Sequence, residues 1–271
     1  MTCPSVKGLD MRIEFLCMQC FKEQGKPDLT VYPTELQDSG LYLVRCRFGH
    51  ETVAYTQEMK FEWLFELGAH AIIDGYYREA VASFNSALER FYEFYIKVIC
   101  AKRGISVSVF DDSWKEVSAQ SERQLGAYLF VYLLENNAKP PLLHRKLVEF
   151  RNDVIHKGKI PAREEAVVYG QAVLDLIGPI LNRLKQQDSE HVRIVVGQHV
   201  QNMMKQIRCG PNTMGMTWPT ILSIASGEPP STLREGLDRL TFERKRGTSF
   251  RVVDGMVTSV APEQRPKKAD A

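Results

Sequence analysis

The chain lacks the short signatures of the commonest catalytic scaffolds. Its 271 residues contain no phosphate-cradling P-loop, no G-x-G-x-x-G fingerprint and no G-x-S-x-G elbow. Ordinary nucleotide-binding and serine-hydrolase sites are therefore not expected. No run approaches eighteen uninterrupted apolar residues, which excludes a membrane-spanning helix. The opening "MTCPSVKGLDMRIEF" has no apolar stretch of the signal-peptide kind. The six cysteines are not spaced as a disulfide framework. A reducing compartment, and so a cytoplasmic location with no membrane partner, is the expectation. Charge of one sign is also missing, since the formal net charge is only +2.

What remains is an ordinary globular mixture, 44% hydrophobic and 25% charged. The charge is unevenly spread. Residues 1–57 carry 6 Lys/Arg against 7 Asp/Glu, residues 58–189 carry 17 against 18, and residues 190–271 carry 12 against 8. The positive excess sits in the last third and hints at an anionic partner.

Residues 10–57 read as short strands, "RIEFLC", "LYLVRC" and "ETVAYT", separated by turn-forming "EQGKPD" and "QDSG". So small a unit needs a staple. Cys17-x2-Cys20 and, twenty-five residues on, Cys46-x3-His50 supply four soft or borderline ligands in two pairs. That is the donor set of a tetrahedral Zn²⁺ site with no open position, so the metal would be structural. Gly49 suits the tight turn before His50. The stretch resembles a zinc ribbon.

Residues 58–187 read as helices joined by short connections, an antiparallel bundle. The first ends at Gly75. The second places Ala80, Phe84, Ala87, Phe91, Tyr95 and Val98 on one apolar face. "SERQLGAYLFVYLLENN" is a third. A fourth is expected from about 141 to 157, with Pro141 near its start and Gly158 and Pro161 after its end. A fifth is "REEAVVYGQAVLDLIGPILNRLKQQ". On the fourth helix, Leu143, Leu147, Phe150 and Val154 form the apolar stripe. Asn152 and His156 fall on nearly the opposite face, with Arg145 and Glu149, and Arg151 flanks the stripe. Arg151 and His156 lie about 140° apart around the helix, so they converge only through the long Arg stem or a loosened last turn. Glu89 reads as part of a solvated helix face.

The segment "FRNDVIH" resembles the R-x4-6-H motif of HEPN domains, with a polar Asn after the Arg. "YREAVASFNSALERFYEFYI" is similar to the long early helix of their bundles. The same expression also fits Arg45/His50 and Arg193/His199. Position late in a bundle, on the exposed side of its helix, singles out Arg151/His156. The resemblance implies a metal-independent endoribonuclease acting as a homodimer, with Arg151, Asn152 and His156 catalytic and Lys157 and Lys159 adding RNA-binding charge. It further implies a toxin or phage-defence role and an antitoxin or other regulatory protein as partner. The alternative is a HEPN and zinc-ribbon module that binds nucleic acid or protein without cutting. The expected fold class is mainly α: a HEPN-like helical bundle with a small N-terminal β zinc ribbon and a C-terminal α+β appendage.

In region 188–262, helices are expected over 191–207, in "TWPTILSIAS" and in "STLREGLDRLTFERK". "SFRVVDGMVTSV" carries the Asp-Gly pair of a hairpin. Arg244, Lys245, Arg246 and Arg251 cluster at its entry. Two readings stay open, a winged-helix-like unit or a helical extension packed on the bundle. Residues 263–271 are expected to be a disordered tail.

Overall fold

A computed structural model describes residues 12–24, 30–207, 212–227, 229–246, 249–253 and 256–260. The tail 263–271 and the Asp254-Gly255 turn lie outside the described residues. The chain is mostly helical, with small strands near the N-terminus. It divides into two compact units. One takes residues 57–210 and 220–237. The other takes 1–56, 211–219 and 238–271. This division cuts across the contiguous 188–262 region expected from sequence.

The first unit is built from α2 (Lys60–Asp74), α3 (Tyr77–Lys102), α4 (Val107–Ser118), α5 (Ser121–Asn136), α6 (Arg145–His156), α7 (Arg163–Gln187) and α8 (Ser189–Met204), following the shorter α1 (Met18–Gln24) of the other unit. The anticipated apolar face of α3 is realised: Ala80, Phe84, Ala87, Phe91, Tyr95 and Val98 are all buried. Aromatic rings fill the space between helices. Phe65 meets Phe84 at 4.8 Å, Phe61 meets Phe91 edge-on at 5.3 Å, and Tyr92 stacks on Tyr128 at 4.3 Å. Phe84 is wedged so tightly that a Cβ on Gly68 or on Gly170 would come within 2.6 Å of its ring. α2 stops at Gly75, whose φ of +84° is the left-handed cap that glycine adopts without strain.

Three differences from the sequence reading have local causes. Helix α4 was not anticipated; its "VSV" start is β-branched, and only Phe110 of the helix is buried. Helix α6 begins at Arg145 rather than near 141. His144 is its N-cap and accepts from the Lys146 N–H through its ring. "TWPTILSIAS" is not helical. Its N–H groups are taken by carboxylates of α2: Ile221 donates to Glu66 at 2.9 Å and Ile224 to Glu62 at 2.8 Å. The Lys185 ammonium donates to the carbonyls of Ser223, Ser226 and Gly227. These contacts strap residues 220–227 down as an irregular segment. Leu233 then opens α9 (Leu233–Arg246), its N–H donating to Gln171 at 2.6 Å.

The second unit holds three small sheets. β1 (Arg12–Phe15) pairs antiparallel with β2 (Tyr32–Glu35). β3 (Leu41–Arg45) pairs antiparallel with β4 (Glu51–Thr56), and β5 (Asn212–Met216) lies parallel to β4. β6 (Ser249–Val253) and β7 (Met256–Val260) form the anticipated hairpin. β5 was not foreseen. It completes the three-stranded sheet of the N-terminal part from about 156 positions away in sequence, as a parallel pairing needs a distant connection.

Candidate functional site

The first candidate site is built where the strands end. Cys17 follows β1, and Cys20 lies in the first turn of α1, so the front ligand pair sits on a helix start within a region read from sequence as short strands. Cys46 follows β3 and His50 precedes β4. Between them the chain turns sharply. The Gly49 N–H donates to the Cys46 carbonyl at 2.9 Å, and the Cys46 N–H to the His50 carbonyl at 3.0 Å. Gly49 has φ +84°, as the tight turn requires.

The four ligand atoms converge. The Sγ of Cys20 lies 3.8 Å from the Sγ of Cys46 and 3.3 Å from Nδ1 of His50, and the Sγ of Cys17 lies 3.7 Å from the same Nδ1. All four atoms fall within 4.8 Å of one another. A tetrahedron with metal–sulfur bonds of about 2.3 Å has edges of about 3.8 Å. The geometry therefore fits a metal ion at its centre. The thiols are buried, and burial together with the neighbouring thiols pushes Cys20 up to about 12. Burial also raises Cys46, but the N–H groups of Phe48 and His50, with the Cys17 and Cys20 thiols, outweigh it and bring that thiol below its ordinary value. Packing three such groups with an imidazole makes sense for a cation and poorly for three neutral thiols. On its other side, Nε2 of His50 lies 3.2 Å from Oε2 of Glu23.

The second candidate lies at the end of α6. The apolar stripe is present, with Val154 fully buried and Phe150 against Tyr169 at 5.9 Å. The helix stops where expected: Gly158 has φ +74°, and the Lys159 N–H reaches back to the Asp153 carbonyl. His156 and Lys157 are exposed; Arg151, Asn152 and Lys159 are half-buried.

Arg151 turns inward to α7 and α3. Its charge acts on the phenols of Tyr169 and Tyr92. The Tyr169 hydroxyl donates in turn to Oδ1 of Asn85 at 3.2 Å, and Nδ2 of Asn85 donates to Oε1 of Glu89 at 2.9 Å. Burial holds the phenols of Tyr169 and Tyr92 well above their ordinary value, so both remain neutral. None of the ion pairs among the described residues includes Arg151 or His156. The two lysines are engaged instead. Lys157 pairs with Asp153 at 2.8 Å, while Lys159 pairs with Glu165 at 2.7 Å and lies over the Phe150 ring. These pairs raise Lys157 and lower Asp153 and Glu165. Of the other two matches to the expression, His50 belongs to the cysteine cluster. His199 is half-buried in a cavity of about 120 Å³ beside Lys97 and Cys100, and burial lowers its pKa.

No family model matches this chain, nor does any curated protein or solved structure. The sites are therefore read from their own geometry. The four residues that converge as possible metal ligands among the described residues are legible in the sequence, as are Arg151, Asn152 and His156 at one helix end. Sequence reasoning missed Glu23, whose three-residue offset from Cys20 is a weak signal. It also left Glu89 as surface and passed over Asn85 and Tyr169, because polar groups on a core face carry no signature until their partners are known.

Proposed function

We propose that the chain is a metal-independent endoribonuclease of HEPN type whose reaction centre is Arg151, Asn152 and His156. The observation that carries this reading is the state of Arg151. It is a half-buried guanidinium whose charge acts on a neutral phenol, and among the described residues no carboxylate is ion-paired to it. An arginine placed in that way retains its charge for an anion, and a phosphate with its two free oxygens matches the guanidinium fork. His156 stands exposed five residues on, at a helix end left open to solvent by Gly158.

The reaction follows from what these groups can do. A base removes the proton from the ribose 2′-hydroxyl, the oxygen attacks the adjacent phosphorus, and the P–O5′ bond breaks as an acid protonates the departing 5′-oxygen. Arg151 would stabilise the charge on the phosphorane, and Asn152 would donate to a phosphate oxygen. His156 would serve as base or acid, and the second histidine would come from a symmetric copy of the chain. Products would end in a 2′,3′-cyclic phosphate or its hydrolysis product. Such an enzyme needs restraint, which fits a toxin or phage-defence effector kept in check by a regulatory protein, acting in the cytoplasm. We further propose that Cys17, Cys20, Cys46 and His50 hold a structural Zn²⁺, the common ion for a closed Cys₃His set.

A second reading is a non-catalytic module that binds RNA or protein through the same fold. It is favoured by Arg151 facing Tyr169 while His156 faces solvent. Cleavage assays separate the two. His156→Ala should slow cutting of RNA by about 10²–10⁴-fold and Arg151→Ala by at least about 10²-fold, with the dimer intact. Cutting unchanged from wild type in both variants would remove the assignment.

A further inference from the structure

The cysteine cluster is not an isolated staple. Its histidine starts a polar chain that ends on the distant strand β5. Nε2 of His50 lies 3.2 Å from Oε2 of Glu23. The other oxygen of Glu23, Oε1, accepts from Nε2 of Gln19 at 2.7 Å. Oε1 of Gln19 accepts from Nδ2 of Asn212 at 2.8 Å. Glu23 and Gln19 lie four residues apart on α1, on one face of the helix that also carries Cys20. Asn212 opens β5 and sits opposite Thr52, two residues beyond His50. The strand's fit on β4 is close elsewhere too, since a Cβ on Gly215 would come within 2.7 Å of the Tyr55 ring.

The donors and acceptors run in one sense. With Nδ1 of His50 turned to the thiols, Nε2 carries the hydrogen and donates to Glu23. Glu23 must then accept from both sides, from the imidazole and from Gln19. Only a carboxylate does so with both oxygens. A glutamine would accept from one neighbour and present an N–H₂ to the N–H₂ of the other. The orientation of Gln19 is fixed in turn by the amide of Asn212.

We infer that Glu23 is an outer-shell positioning residue of the metal centre, and that through Gln19 and Asn212 it couples metal binding to the docking of β5. This inference rests on the reading that the cluster holds a divalent metal of zinc type. Coupling is reciprocal: if the bound metal tightens β5 on β4, then loosening β5 must weaken metal binding by the same factor.

The test uses the full chain, loaded with Zn²⁺ and titrated with a chromophoric chelator. Wild type should hold one Zn²⁺ per chain. Glu23→Gln should weaken zinc affinity by about 10-fold or more, the range found when such second partners are removed. Asn212→Ala and Gln19→Ala change no ligand and no group touching His50, yet should each weaken zinc severalfold. In the same zinc-loaded variants, hydrogen exchange of the 212–216 amides should quicken while that of 41–45 stays as in wild type. Where Glu23→Gln folds poorly, the two surface amide variants still test the coupling, because it requires faster exchange at 212–216 and weaker zinc binding together. Full zinc binding by wild type, with zinc affinity unchanged in Asn212→Ala and Gln19→Ala whatever their exchange, would overturn the coupling alone. Absence of zinc from wild type would overturn the metal reading and the coupling with it.

Discussion

Beside Arg151 runs a relay in which each group has one role. Asn85 donates to Glu89 and accepts from Tyr169, so the Tyr169 hydroxyl points its hydrogen at Asn85 and leaves its oxygen in the field of the Arg151 charge. Tyr169→Phe keeps the ring and removes that oxygen. It leaves the buried Asn85 short of a donor and should cost about 1–3 kcal/mol in urea unfolding. If the relay positions Arg151, cleavage by this variant should fall while the fold, read by circular dichroism below the transition, is retained. Gly170, next to Tyr169, tests the packing around the same residues. Its absent Cβ would meet Phe84 at 2.6 Å and Leu233 at 2.7 Å. Gly170→Ala should therefore destabilise by about 1–3 kcal/mol, and calorimetry showing an unchanged transition would contradict the tight wedge described above.

The long helices were legible because their signals are local: a period of 3.6 along α3, a left-handed glycine after α2, a glycine and proline after α6; the short α1 and the largely exposed α4 carry no such signal. The metal ligands were legible for the same reason, as two short-range pairs. Strand β5 was not, because its partner β4 is far away in sequence and its "NTMGM" has no alternating pattern. The segment after Pro219 looked helical from its apolar spacing, and what defeats the helix is the pair Glu62 and Glu66. In sequence these are two acidic positions one turn apart, the mark of a solvated face, yet they are 2% and 1% exposed because residues 220–227 cover them. That burial has a pH signature. Burial and the charge of Glu58 push the Glu62 carboxyl up to about 8 from an ordinary 4.5, although the amides of Ile224 and Met59 favour its ionised form. The folded chain thus keeps a proton that the unfolded chain releases. The resulting stabilisation is full below the ordinary value and is lost as the pH rises through about 8. Measured by urea unfolding, the stability of wild type relative to Glu62→Gln should decline from about pH 5 to about pH 8.5. A flat difference would mean that Glu62 is ionised throughout in the fold.

Each of the two units has its own means of holding together. The helical unit has a large aromatic core, whereas the unit that carries β3, β4 and β5 combines all four candidate metal ligands with a small core in which Phe15 packs on Tyr42 beside Ile13. Stripping the metal should therefore unfold the strands, seen as rapid amide exchange over 41–56, while the helical far-UV signal changes little. Loss of helical signal in step with zinc would contradict that independence. The function proposed for the helical unit needs no metal, so the most direct measurement is a cleavage assay on end-labelled RNA in EDTA, with retained zinc verified by metal analysis. The account predicts fragments ending in a 2′,3′-cyclic phosphate from the wild-type chain and none above background from Arg151→Ala or His156→Ala. Cleavage that persists unchanged in both variants, or wild-type protein that binds RNA and never cuts it, would contradict it.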